Sequence, residues 1–164
     1  MKSFDSWSLS EEQLLRLGRD ALWLERYRDA CEALSEYCER LKRYERPISA
    51  PILAYYGLSL GYSQNVREGL RICLEALSQD RRNPNIHLCV ARLYILAKDR
   101  KTALEVIAQG LRISRGHRGL TALRQALGMR QPVPIPFLAR RNAVNVKLGK
   151  AIRKIKSKGK TSTA

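Results

Sequence analysis

Four cysteines, two histidines and a few clustered acids are the residues of this chain best suited to chemistry. Cys31, Cys38, Cys73 and Cys89 form no C-x-x-C pair, and His87 and His117 stand far apart. A zinc site needs ligands at short, matched spacings, so none is expected. Buried cysteines in a reduced compartment behave as small apolar residues, and that is the role expected here. Glu32, Glu36 and Glu39 recur on one helical face. Such a run is ordinarily solvated surface rather than an acid–base pair. The chain has no glycine-rich phosphate loop, no G-x-S-x-G and no H-E-x-x-H. The expectation is a protein that is not an enzyme and holds no cofactor or metal.

Charge offers more. Lys and Arg number 31 against 15 acids, a net of +16. Residues 1–99 carry 15 basic and 14 acidic side chains, whereas residues 100–164 carry 16 basic side chains and one acid, Glu105. A block of like charge repels itself unless an anion meets it. The cations expected to meet RNA or another polyanion are Arg140, Arg141, Lys147, Lys150, Arg153, Lys154, Lys156, Lys158 and Lys160. Phe137 is the one aromatic residue of this tail, so base stacking is not indicated and contact would be led by the phosphate backbone.

The elements that position these residues follow from an internal repeat. A segment from Ala50 carries Leu53, Tyr56, Gly57, Leu60, Gly69, Cys73 and Ala76; a segment from Pro84 carries His87, Val90, Ala91, Tyr94, Ala103, Ile107 and Gly110, 34 residues on. An earlier copy from Glu11 carries Leu14, Leu17, Gly18, Ala21, Ala30, Leu34 and Tyr37, 39 residues before the second. Each copy places a small residue (Gly18, Gly57 or Ala91) mid-way in a first helix and another (Ala30, Gly69 or Ala103) twelve positions later. Small side chains let two helix axes approach. Ala103, Val106, Ile107 and Leu111 show helical spacing. Ser10 and Gln13 form a capping-box signature, and Asn83-Pro84 supplies a cap and a first-turn proline. Turns are expected at 62–65 and 97–100. A helix over 118–130, with Leu120, Leu123 and Leu127 on one stripe, would cap the exposed end.

This pattern resembles the tetratricopeptide repeat (TPR) family. The resemblance implies an all-α solenoid of three helix-turn-helix repeats (11–49, 50–83 and 84–117) after an N-terminal extension at 1–10. The family's large residue at the eleventh position is present as Tyr94 but is Leu60 and Ala21 in the other copies. The proline that commonly ends the second helix is absent at Lys42, Arg81 and Arg115, so the second helix of the first repeat is expected to run long. The resemblance also implies a peptide-binding groove lined by first helices. Its positions here are Leu15, Arg19, Leu22, Ala54, Leu58, Tyr62, Leu88, Arg92 and Ile95. Arg19 and Arg92 suit a carboxylate, but the asparagine partners of the family's carboxylate clamp are missing, so no clamp is inferred.

Residues 131–164 read as a proline-rich strap followed by a basic tail. Pro132, Pro134 and Pro136 enforce extended backbone, and Val144, Leu148, Ile152 and Ile155 then fall at helical spacing among the cations. The string PVPIPFLARRNAVNVKLGK resembles a tail that follows TPR arrays in some proteobacterial proteins, which implies a bacterial origin. No secretory leader or membrane-spanning run is visible, so a cytoplasmic chain is expected. The sequence thus supports an adaptor that binds a protein segment in its groove and docks its tail on RNA or a ribonucleoprotein such as the ribosome. The alternative is a secretion or assembly chaperone for an acidic client. A membrane surface ranks third as the tail's target, because the apolar stripe is short and lacks Trp. Oligomeric state is left open.

Overall fold

The computed structural model describes residues 8–128, 146–148 and 150. Backbone contacts divide the chain into two units, Met1–Leu127 and Gly128–Ala164. The first unit consists of α1 (Glu11–Trp23), α2 (Tyr27–Arg43), α3 (Ala50–Ser63), α4 (Val66–Gln79), α5 (Pro84–Leu96), α6 (Arg100–Ile113) and α7 (Arg118–Ala126). The chain is all-α, an array of helix pairs. In the second unit the described residues 146–148 and 150 have helical backbone and are exposed. The residues 131–137 read as a strap lie outside the described residues.

Local chemistry sets the helix ends. The Ser10 hydroxyl accepts from the Gln13 backbone N–H while the Gln13 side chain accepts from the Ser10 N–H, a reciprocal box. Asn65, Asn83 and Asp99 each accept from backbone N–H groups of the helix that follows. His117 does the same through Nδ1, which accepts from Leu120 N–H at 3.2 Å. Helices α1, α2 and α5 end in one way: Glu25, Glu45 and Lys98 take left-handed backbone, and the next residue's N–H reaches back to Ala21, Leu41 or Tyr94. The expected turn at 62–65 is shorter than read. Tyr62 and Ser63 belong to α3, and Asn65 starts α4 almost at once. Helix α2 runs long as expected, 17 residues against 14 for α4 and α6, but the proline is missing from all three and does not itself set the difference.

Packing follows the repeat. Within pairs, α1 meets α2, α3 meets α4 and α5 meets α6; α3 also meets α5, its counterpart one repeat on. Leu14, Leu34, Ile86, Leu93, Ile107 and Leu120 are fully buried, and each stabilises the fold by about 1.5–3 kcal/mol relative to exposure. Helix α3 is buried on most sides, which explains its nearly continuous apolar sequence. Its one buried hydroxyl, Ser59, donates to the Tyr56 carbonyl at 2.8 Å. The small residues act as expected. A Cβ on Gly18 would lie 2.6 Å from Leu34 Cγ, and one on Gly69 would lie 2.5 Å from the Gly57 carbonyl oxygen. At the second position the two backbones themselves touch, so only glycine fits. Helix α7 seats the buried Leu120 over Gly110 of α6, where a Cβ would lie 2.6 Å from a Leu120 methyl. It ends at Ala126, short of the expected 130, and Gly128 follows with φ of 68°.

Candidate functional site

Three first helices line one groove of about 810 Å³. Helix α1 contributes Glu12, Leu15, Arg16, Arg19, Asp20, Leu22 and Trp23; α3 contributes Tyr55 and Leu58; α5 contributes Asn85, Leu88, Cys89 and Arg92. The spacing on α5 is i, i+3, i+4, i+7, one face of a helix. Leu14, Gly18 and Ala21 turn into the core on α1, which leaves the next positions facing the groove.

Six of the nine expected groove residues meet here: Leu15, Arg19, Leu22, Leu58, Leu88 and Arg92. Three do not line it. Ala54 is wholly buried in the core, where its carbonyl accepts from the Cys73 thiol at 3.2 Å. Ile95 lies one turn beyond Arg92 on α5, outside the cavity. Tyr62 stacks on Tyr27 instead, with ring centroids 4.3 Å apart. The expected set lacks Tyr55, Cys89 and Trp23, and also the polar Glu12, Arg16, Asp20 and Asn85. Tyr55 and Cys89 are 34 residues apart, each one position after an expected residue (Ala54 and Leu88), so the repeat held the signal one register on. Trp23 is 88 % exposed at the end of α1.

The charges divide into engaged and available. Arg92 donates to the Tyr27 hydroxyl at 2.7 Å and pairs with Glu25 at 3.3 Å. Its guanidinium also lies over the Tyr62 and Tyr27 rings, 5.5 and 5.9 Å from their centroids. Burial raises the Tyr27 phenol above its ordinary value, and Arg92 opposes that rise. Arg92 is therefore a tie between repeats before it is a ligand-binding group. Arg16 holds Asp20 only loosely, at 4.0 Å with both side chains exposed. Arg19 is exposed and forms no ion pair among the described residues.

Cys89 at the groove is no nucleophile. It is 2 % exposed, and burial pushes its thiol up to about 12. The four cysteines are free and buried. No group of three metal-ligating side chains occurs among the described residues, and no described helix is long and apolar enough to cross a membrane. Of the expected anion-binding cations, Lys147 and Lys150 are described and exposed. Arg140, Arg141, Arg153, Lys154, Lys156, Lys158 and Lys160 lie outside the described residues.

No family model and no curated protein matches the sequence. Solved structures do match. The TPR domain of Arabidopsis OM64 superposes with a TM-score of 0.58 at 13 % identity, covering 71 % of this chain and 93 % of that one. The TPR2B domain of yeast Sti1, in its complex with pHsp70, superposes with a TM-score of 0.55 at 17 % identity, covering 71 % and 94 %. At such identities the likeness concerns the fold, and it agrees with the 34-residue repeat, the paired helices and the small residues at their crossings. This chain has the tetratricopeptide repeat fold.

Proposed function

We propose that the chain is a non-catalytic adaptor whose groove binds a segment of another protein. The observation that carries this reading is the groove itself. It has an aliphatic and aromatic lining (Leu15, Leu22, Tyr55, Leu58, Leu88), available cations at one side (Arg16, Arg19) and a fully presented indole at its end (Trp23). Apolar anchors with a few placed charges are what a peptide site requires. The Sti1 domain, of the same fold, was solved as a complex with pHsp70, which supports a protein ligand for this groove. Trp23→Ala and Leu15→Glu are expected to weaken a captured partner about tenfold or more each, as loss of an aromatic anchor or a charge placed in an apolar lining does, with the helical circular dichroism unchanged. Equal binding by both variants would remove the groove from the function.

The second half of the proposal concerns the tail. Its cations dock the adaptor on RNA or a ribonucleoprotein, a reading supported by the 16-to-one excess of bases over acids after residue 99. Contact through about six phosphates would lower affinity roughly 10³-fold between 50 and 200 mM salt. The test compares the full chain with a 1–138 truncation, each with and without nuclease, in a pull-down read by mass spectrometry. Ribonucleoprotein components lost on both truncation and nuclease treatment support RNA docking. One discrete partner that survives both favours the chaperone alternative, with the groove as its site.

A further inference from the structure

A second cavity lies on the other side of α5. It measures about 510 Å³ and sits between α4 and α6, with His87 of α5 at its floor. Leu74, Leu77 and Ile113 line it, and Arg81 and Arg112 flank it. Two of these aliphatic residues are unusually open, Leu74 at 42 % and Ile113 at 43 % exposure. Both arginines are exposed, and neither side chain has an ion-pair or hydrogen-bond partner among the described residues. No carboxylate lines the notch. On α4 itself, Arg71 is by contrast bonded to Glu68 and Glu75. The notch is therefore aliphatic at its centre and uncompensated in charge at its edge.

We propose that this notch docks an acidic, aliphatic segment of a partner protein, separately from the groove on α1, α3 and α5. An aliphatic side chain of the partner fills the gap between Leu74 and Ile113, and carboxylates on either side of it accept from Arg81 and Arg112. Arginine's planar fork suits that pairing. Charge complementarity selects this occupant over two others. The chain's own tail is excluded because residues 106–164 contain no acid. Nucleic acid fits poorly because the one aromatic ring in the lining, His87, is buried at 3 % exposure, so bases find no platform, and the exposed aliphatic surface would stay uncovered. The fixed floor favours a preformed site. The His87 ring is held by the Asn83 carbonyl 3.1 Å from Nδ1, and Gly110 lets α6 lie close over it.

The test uses the full chain, isotopically labelled, and a synthetic amphipathic peptide with leucines on one face flanked by glutamates. Amide shifts are expected to concentrate around Leu74, Leu77 and Ile113. The Arg81→Glu/Arg112→Glu double variant is expected to weaken binding roughly tenfold or more, as loss of charge-assisted hydrogen bonds does. Leu74→Ser is expected to weaken it too, whereas Arg19→Glu in the other groove leaves it unchanged. A peptide with serines for leucines, which keeps its attraction to the basic tail, should leave the notch amides unmoved. The proposal fails if shifts fall only in the tail or the first groove, or if the double variant binds as tightly. It also fails if a lysine-for-glutamate peptide or an oligouridylate moves the same amides, or if no peptide does. Light scattering adds a last check: a dimer that Arg81→Glu/Arg112→Glu converts to monomer would make a second copy the occupant and overturn the assignment.

Discussion

Cys38 illustrates how a buried thiol links stability to pH. Burial raises it from 9.0 to about 11, with Lys42 opposing in part. Cys31, Cys73 and Cys89 move in the same direction, also by burial. A thiol whose folded value lies above its unfolded one stabilises the fold below the unfolded value and loses that contribution as pH rises through the folded one. Denaturant midpoints are therefore expected to hold up to about pH 8.5 and then fall toward pH 11, because the unfolded chain ionises first. Cys38→Ala should show a shallower fall. Some slope will remain, since Tyr27, Tyr55 and Tyr56 are raised by burial as well. An identical slope in the variant would show that Cys38 does not contribute. The same burial keeps these thiols protonated and slow toward disulfide reagents in the native state.

At the scale of the element, α3 and α4 cross with their backbones in direct contact. A methyl at Gly69 meets backbone atoms of both Gly57 and Gly61, which cannot rotate away as a side chain can. Gly69→Ala is expected to cost about 1–3 kcal/mol despite alanine's better helix propensity. Gly116→Ala, where nothing lies within 4 Å, should stay within about 0.5 kcal/mol of the parent. Paired urea melts test this, and equal effects at both sites would contradict the close-approach account. These crossings were legible in the sequence because a small residue leaves a mark that recurs from copy to copy, 39 and then 34 positions on. Caps were legible for the same reason: Ser10, Asn83 and Pro84 are types with few other uses at a helix start. The groove was read less well. A family register places residues by position, while the rotation of each helix depends on what it packs against. That register assigns Ala54 to the groove, whereas the packing of α3 against α4 turns it into the core and leaves Tyr55 facing out. Nothing in the local pattern separates those neighbours.

For the whole molecule, the least legible feature is the tie through Arg92. Repeat arrays are built from nearest-neighbour contacts, and this fold adds one that reaches from the third helix pair to the first. Arg92 is bonded to Tyr27 across 65 residues and to Glu25 across 67. Neither partner shares a motif with it, so spacing gave no hint. Arg92→Leu is expected to lower the opening free energy of α1 and α2 amides by about 1 kcal/mol, the worth of one such partly exposed bond, while α7 amides keep theirs. Hydrogen exchange followed by mass spectrometry would resolve the two, and a uniform loss would mean that the tie only adds to global stability. The contact also orders events in time. During synthesis from the N-terminus, the first helix pair emerges long before residue 92 does. Until then Tyr27 lacks its cation, although its stacking partner Tyr62 and the packing of α3 on α2 arrive sooner. The first repeat thus appears before the other two, and its last tie closes only when the third is made.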